Sequence, residues 1–261
     1  MALTNENFGG WLTSKQKSKR SLEILEKYKN CYTNMDSVLR QKVVQQVKNN
    51  RTSIGRVLYK TRNCYSSNMD FVEFARSVAD VGGMENLKIL IAKSVDIIIK
   101  KDGSLKKFPR EEIAKAIKVY IWYQPYVGFA FEQRIRDLLE SNGYSCYASN
   151  RLDKDYAIDL QVSKGNRTIG LQFKSASFLS LSRDKRKQYY YKNSDAIQYK
   201  WVEGVYYIFH DLDCEIMANE WDSLTNYTKA CLQEKFDRKI VYAEQEINFL
   251  KDVEEVFLQM G

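Results

Sequence analysis

Asp159, Gln172 and Lys174 lie in one stretch, DYAIDLQVSKGNRTIGLQFKSASF (residues 155–178), where polar and apolar residues alternate on either side of Lys164-Gly165-Asn166. Alternate side chains of a strand point to opposite faces. Tyr156, Ile158, Leu160 and Val162 are expected to share one face of a first strand, leaving Ala157, Asp159, Gln161 and Ser163 on the other. In the second strand Ile169, Leu171 and Phe173 share a face, with Thr168, Gly170, Gln172 and Lys174 opposite. If the turn closes around the trio Lys164-Gly165-Asn166, Asp159 sits nearly opposite Gln172 and one pair from Lys174, with cross-strand Cβ separations of roughly 5 Å. A carboxylate, an amide and an ammonium gathered there could serve hydrolysis of a phosphodiester. Such hydrolysis needs a hard divalent cation to neutralise phosphate charge and acidify a water, and a nearby cation to steady the developing charge.

Neighbouring elements would have to position these groups. Residues 127–141, VGFAFEQRIRDLLES, are expected to form an amphipathic helix with Phe131, Ile135, Leu138 and Leu139 on a face and Gly143 ending it. It carries Glu132, 27 residues before Asp159. Strands are expected at 144–149, 156–163 and 168–174, with the small Ala157 and Gly170 leaving space on the polar face. A basic, tyrosine-rich segment, RDKRKQYYYKNSDAIQYKW, comes next, followed by a buried strand GVYYIFH and two C-terminal helical stretches.

Helix with Glu, strand, strand with Asp, turn, strand with Gln-x-Lys resembles the catalytic core of the PD-(D/E)XK nuclease superfamily. The wording AIDLQV…GLQFK is most similar to its Mrr-like and related restriction branches, in which Gln commonly replaces the second acid. The resemblance covers about residues 127–210; Ile158 stands where the commoner pattern has proline, and Gln172 where it has Asp or Glu. It implies an α/β (α+β) fold with a mixed central sheet flanked by helices, and Mg²⁺-dependent DNA cleavage with one or two ions. Asp159 would be the direct ligand, joined by the Gln172 side-chain oxygen, the Phe173 carbonyl and Glu132, while Lys174 would orient or deprotonate the attacking water. Glu140, near the end of the same helix, is the weaker candidate for the helix acid. The implied protein is a type II restriction endonuclease, a homodimer on double-stranded DNA with a companion methyltransferase. Its alternatives are an Mrr-like or structure-selective nuclease, and a DNA-binding protein that keeps the fold without catalysis.

Composition narrows the chemistry independently. A single histidine, His210, leaves almost nothing for histidine triads or two-histidine zinc motifs, and five scattered cysteines without a C-x-x-C pair argue against a zinc site or disulfide framework. Apolar runs such as VYIWY and VYYIF are too short to span a bilayer, and the N-terminus lacks a signal-peptide apolar block, so a cytoplasmic protein is expected. Charge is unevenly placed: residues 1–100 hold 17 Lys/Arg against 9 Asp/Glu, residues 101–200 hold 19 against 11, and residues 201–261 hold 5 against 13. The basic first two hundred residues fit a phosphate-backbone partner.

Residues 1–124 are expected to be a basic helical region for DNA contact or dimerisation, and residues 125–261 the catalytic core with C-terminal helices. Apolar residues three and four apart predict helices from Leu22, Ser37, Phe71 and Leu87, with another opening after Pro109 and a change of character after Gln124-Pro125. The run from Ser37 through Lys48-Asn49-Asn50 to Thr52 or Ser53, followed by Arg56, Lys60 and Arg62, is consistent with a helix-turn-helix. Arg183, Lys185, Arg186, Lys187, Tyr189, Tyr190, Tyr191 and Lys192 interleave cations with aromatics, as a phosphate-contacting segment would.

Overall fold

The computed structural model of the chain describes residues 8–49, 54, 57, 60–175, 178, 183–210, 240–242 and 246–259. These form two compact units: residues 13–130, which are helical, and residues from Phe131 onward together with those up to Leu12, which hold the sheet. The architecture is mixed α/β. Among the described residues no helix is long and apolar enough to cross a membrane.

After α1 (Phe8–Ser14), the helices expected from periodicity are α2 (Lys19–Thr33), α3 (Ser37–Asn49), α4 (Phe71–Gly82) and α5 (Met84–Lys101). They start where side chains satisfy free backbone N–H groups. Ser18 accepts from the Ser21 N–H at 3.1 Å, and Asp70 with Glu73 closes a reciprocal capping box at the head of α4. The helical core is organised around the buried Tyr126, whose ring lies 5.3 Å from Phe71 and 5.5 Å from Phe74. Its hydroxyl accepts from Gln16 Nε2 at 3.2 Å and donates to the Met69 carbonyl at 3.4 Å. Gln16 Oε1 in turn accepts the Phe71 N–H at 3.1 Å, so one amide caps a helix and fixes the central ring.

The expected change of character at Gln124-Pro125 is not a break. After α6 (Arg110–Lys118), a π-helical turn, Val119–Tyr123, leads into α7 (Gln124–Ser141), and the Gln124 N–H bonds the Val119 carbonyl five residues back. Proline has no N–H, and in an α-helix its ring would collide with the carbonyl four residues earlier. The wider turn just before Pro125 relieves that collision without ending the helix. The division between the two units falls inside α7, between Ala130 and Phe131.

The sheet unit continues with β1 (Ser145–Tyr147), α8 (Asn150–Tyr156), β2 (Leu160–Lys164), β3 (Arg167–Ser175), α9 (Arg183–Gln198), β4 (Val205–His210), β5 (Ile240–Tyr242) and α10 (Glu246–Gln259). The strands lie in the order β1-β2-β3-β4-β5; β2 runs antiparallel to both β1 and β3, and β4 and β5 continue parallel to β3. A parallel neighbour requires a crossover, which α9 provides between β3 and β4. One face of β3 is sealed by rings: Phe173 lies 5.5 Å from Phe131 of α7, edge to face, and Phe131 lies 5.0 Å from Phe8 of α1.

One expected strand is corrected. Residues 156–159 are not extended, because Ser149 accepts the Leu152 N–H at 3.2 Å and starts helix α8, which carries Asp153 and Asp155. Ala157, at φ +51°, ends that helix in the left-handed region. The Ile158 N–H returns to the Leu152 carbonyl at 3.0 Å and the Ala157 N–H to that of Asp153 at 3.1 Å, while Leu152 and Ile158 join the cluster of Ala196, Val202 and Val205. This helix end usually takes glycine, and left-handed backbone costs a residue with Cβ about 1–2 kcal/mol.

Ala157→Gly is therefore expected to stabilise the protein by about 1 kcal/mol, raising Tm by roughly 2–4 °C in thermal denaturation. Burial also pushes the phenols of Tyr28, Tyr120 and Tyr126 up to about 12. A folded-state pKa above the unfolded one means the stability these groups contribute is complete below about pH 10 and lost as pH rises through about 12. Spectrophotometric titration should show a late-ionising class of tyrosines that joins the main class once the protein is unfolded.

Candidate active site

The hairpin that carries the three polar residues closes more tightly than the sequence suggests. Lys164 pairs with Arg167, so the loop is Gly165-Asn166 alone, with Gly165 at φ +60° in the first loop position, where a type II′ turn requires glycine. Lys164 belongs to the strand rather than to the turn. The register pairs Leu160 with Leu171 and brings Asp159 to Gln172, as the alternation predicts. Asp159 Oδ2 accepts from Gln172 Nε2 and, at 2.7 Å, from the Phe173 backbone N–H, while the Asp159 N–H donates to the Leu171 carbonyl at 2.9 Å. The Gly170 N–H faces β4, donating to the Gly204 carbonyl at 2.8 Å. By alternation the Phe173 N–H and C=O face the opposite side, where Asp159 lies just beyond the start of β2.

The face that holds these groups is covered rather than solvated. Gln172 is only 1% exposed, and its Oε1 has no hydrogen-bond partner among the described residues, an omission that costs roughly 1–3 kcal/mol in a buried amide. The space expected above Gly170 is filled: a Cβ there would meet Ile158 Cδ1 at 3.0 Å. Ile158, expected on the other face with Leu160, comes over Gly170 because the left-handed turn at Ala157 redirects the chain.

Lys174, two residues after Gln172, is half-buried, and its Nζ lies 4.7 Å from the centre of the Tyr189 ring and 5.9 Å from that of Phe178. Two aromatic rings within about 6 Å favour and localise a cation. Burial, with the nearby carboxylates of Asp159 and Asp153, pushes the Tyr189 phenol up, so it remains a neutral hydroxyl beside the acid. Phe178 stacks on Tyr207 at 5.5 Å, and Tyr207 stands beside Gln172 in the parallel register.

Asp159, Gln172, the Phe173 backbone, Lys174 and Tyr189 thus converge. Glu132 is half-buried on α7, immediately after the Phe131 ring that packs on Phe173. Glu140 lies on the exposed side of that helix, in an ion pair with Arg136 at 2.9 Å. Lys187 is half-buried, whereas Lys192 points outward on α9 with its ammonium on the Lys154 carbonyl. Helix α9 includes Arg183, Lys185 and Arg186, whose side chains are not among those described. Lys60 and Arg62 are exposed in the helical unit; Arg56, Thr52, Ser53 and residues 211–214 lie outside the described residues.

Sequence reasoning missed Asn193 and Tyr207. Both are buried on the site side of α9 and β4, and the spacing of Tyr189, Asn193 and Ala196 along α9 is the helical signal that would have found the first. No protein-family model, curated protein or solved structure matches the chain.

Among the described residues no three His, Cys, Asp or Glu side chains come together to hold a metal. Hard oxygen donors are nevertheless present in the Asp159 carboxylate, the unpaired Gln172 Oε1 and the Phe173 carbonyl edge, a set that suits Mg²⁺ better than a thiophilic ion. Gly170→Ala should force Ile158 off Gly170 and cost about 1–3 kcal/mol in denaturant unfolding.

Proposed function

We propose that this chain is a Mg²⁺-dependent DNA endonuclease of the PD-(D/E)XK type, acting on double-stranded DNA as a restriction enzyme. The observation that carries the reading is the convergence of Asp159, Gln172 and Lys174 at the end of one hairpin, with the buried Gln172 Oε1 lacking a partner among the described residues. Mg²⁺ held by Asp159, Gln172 Oε1, the Phe173 carbonyl and Glu132 would supply charge neutralisation at the phosphate and a more acidic water. Lys174, beside the Tyr189 and Phe178 rings, would offset charge developing on the phosphate and orient the water. The neutral Tyr189 hydroxyl is suited to donate a hydrogen bond to a phosphate oxygen. The basic first two hundred residues suit a duplex backbone. A homodimer cutting both strands, with a partner methyltransferase, completes the restriction reading.

A second reading is favoured by one contact. Gln172 Nε2 already donates to the Asp159 carboxylate, and an amide there gives the site one negative charge fewer than a second acid would. On that account the protein binds DNA and no longer cuts it.

Incubating phage or plasmid DNA, unmodified and methylated, with the protein and Mg²⁺ and sequencing the ends separates the two. Discrete fragments with 5′-phosphate and 3′-hydroxyl ends are expected, with rates falling by about 10²-fold or more in Asp159→Ala and Lys174→Ala. Metal-independent binding without cleavage, unchanged by either substitution, would establish the binding protein instead. Gln172→Glu sets two carboxylates against each other. It should lower Tm in chelator and give a larger Mg²⁺-induced rise in Tm than the unsubstituted protein shows.

A further inference from the structure

Asn193 is fully buried on α9, and all of its polar atoms are engaged. Its Nδ2 donates to the Tyr156 carbonyl at 2.8 Å and the Ala157 carbonyl at 2.9 Å, and its Oδ1 accepts from the Tyr207 hydroxyl at 2.7 Å. The two carbonyls are the last of α8 and the first after it, so the amide grips the chain at the left-handed residue. Asp159 follows two positions later, and its own N–H is held by the Leu171 carbonyl. The join from helix to strand is therefore pinned at both ends, by a side chain upstream and by β3 downstream. A helix end that needed only satisfied carbonyls could face water. A buried amide read by a tyrosine from the neighbouring strand instead selects one arrangement of the join.

We infer that Asn193, locked by Tyr207, is the positioning residue for Asp159. The inference rests on the reading of Asp159 as the metal-binding carboxylate, and it assigns a role to two residues that touch neither metal nor phosphate. Tyr207 stands beside Gln172 across the β3–β4 register, so the same strand pair that carries Gln172 also sets, through Asn193, where Asp159 meets it. Loss of either hydrogen-bonding group would let the carboxylate drift from the Phe173 N–H.

The Phe173 amide, 2.7 Å from Asp159 Oδ2, reports that drift directly in the full-length ¹⁵N-labelled protein. In Asn193→Leu its proton resonance should move upfield, and its hydrogen exchange should quicken about tenfold or more relative to Ile169, as expected for losing a bond to a charged acceptor. Tyr207→Phe, which keeps the ring, should shift the same resonance less in the same direction. In cleavage assays both variants should need severalfold more Mg²⁺ for half-maximal rate, with metal-free DNA binding unchanged. A lowered Tm with the Phe173 resonance and its relative exchange unmoved would overturn the inference and leave Asn193 a structural residue only. If Asn193→Leu does not fold, Tyr207→Phe decides alone. If the unsubstituted protein cleaves no DNA, the nuclease reading falls while the Phe173 amide still judges Asn193.

Discussion

Three residues, Ala157, Ile158 and Asp159, must carry the chain from the end of α8 to the start of β2, and the site depends on how that short join is made. The left-handed turn at Ala157 is unfavourable by about 1–2 kcal/mol for a residue with a side chain. Two hydrogen bonds from Asn193, at about 1 kcal/mol net each, and the apolar contact of Ile158 with Leu152 are enough to outweigh it. Once the turn is made, Ile158 has to lie over Gly170, and Asp159 has to meet Gln172 and the Phe173 N–H. Packing and polar geometry are thus two results of one backbone event.

Both faces of β3 carry part of the arrangement. On one, rings from α1 and α7 seal Phe173; on the other, α9 brings Tyr189 to Lys174 and Asn193 to the join. Because β3 and β4 are parallel, α9 must cross between them on a single face, and that requirement delivers an aromatic, amide-bearing helix to the polar side of the sheet. The ammonium of Lys174 lies beside the paired Tyr189 and Phe178 rings, which limits the directions it can take.

Much of this was legible in residue order. Period-two alternation from Leu160 to Lys174 located the hairpin and the shared face of Gln172 and Lys174, while the turn, read as Lys164-Gly165-Asn166, is one residue shorter, which shifts the pairing by one. Period-3.6 spacing located α2 to α7. Alternation misled at Tyr156 and Ile158, whose apolar side chains happen to continue the strand pattern while Ser149 caps a helix just upstream. The change of character expected after Gln124-Pro125 falls within continuous helix because a π turn precedes the proline, and no local pattern announces such a turn. The filled space above Gly170 and the role of Asn193 depend on contacts over 12 and 36 residues, which single-strand and single-helix periodicity does not encode.

The π turn at Val119–Tyr123 holds one residue more than the same stretch of α-helix needs, so it works as a phase adjuster. Each residue of an α-helix advances the side-chain direction by about 100°. Ile113 and Ile117 before the turn and Tyr126 after it are all buried in the helical unit. The same number of residues wound as an unbroken α-helix would carry Tyr126 about 100° further round, away from Phe71, Phe74 and the Gln16 amide. The widened turn absorbs the extra residue locally, so the residues before and after it stay in phase on one core.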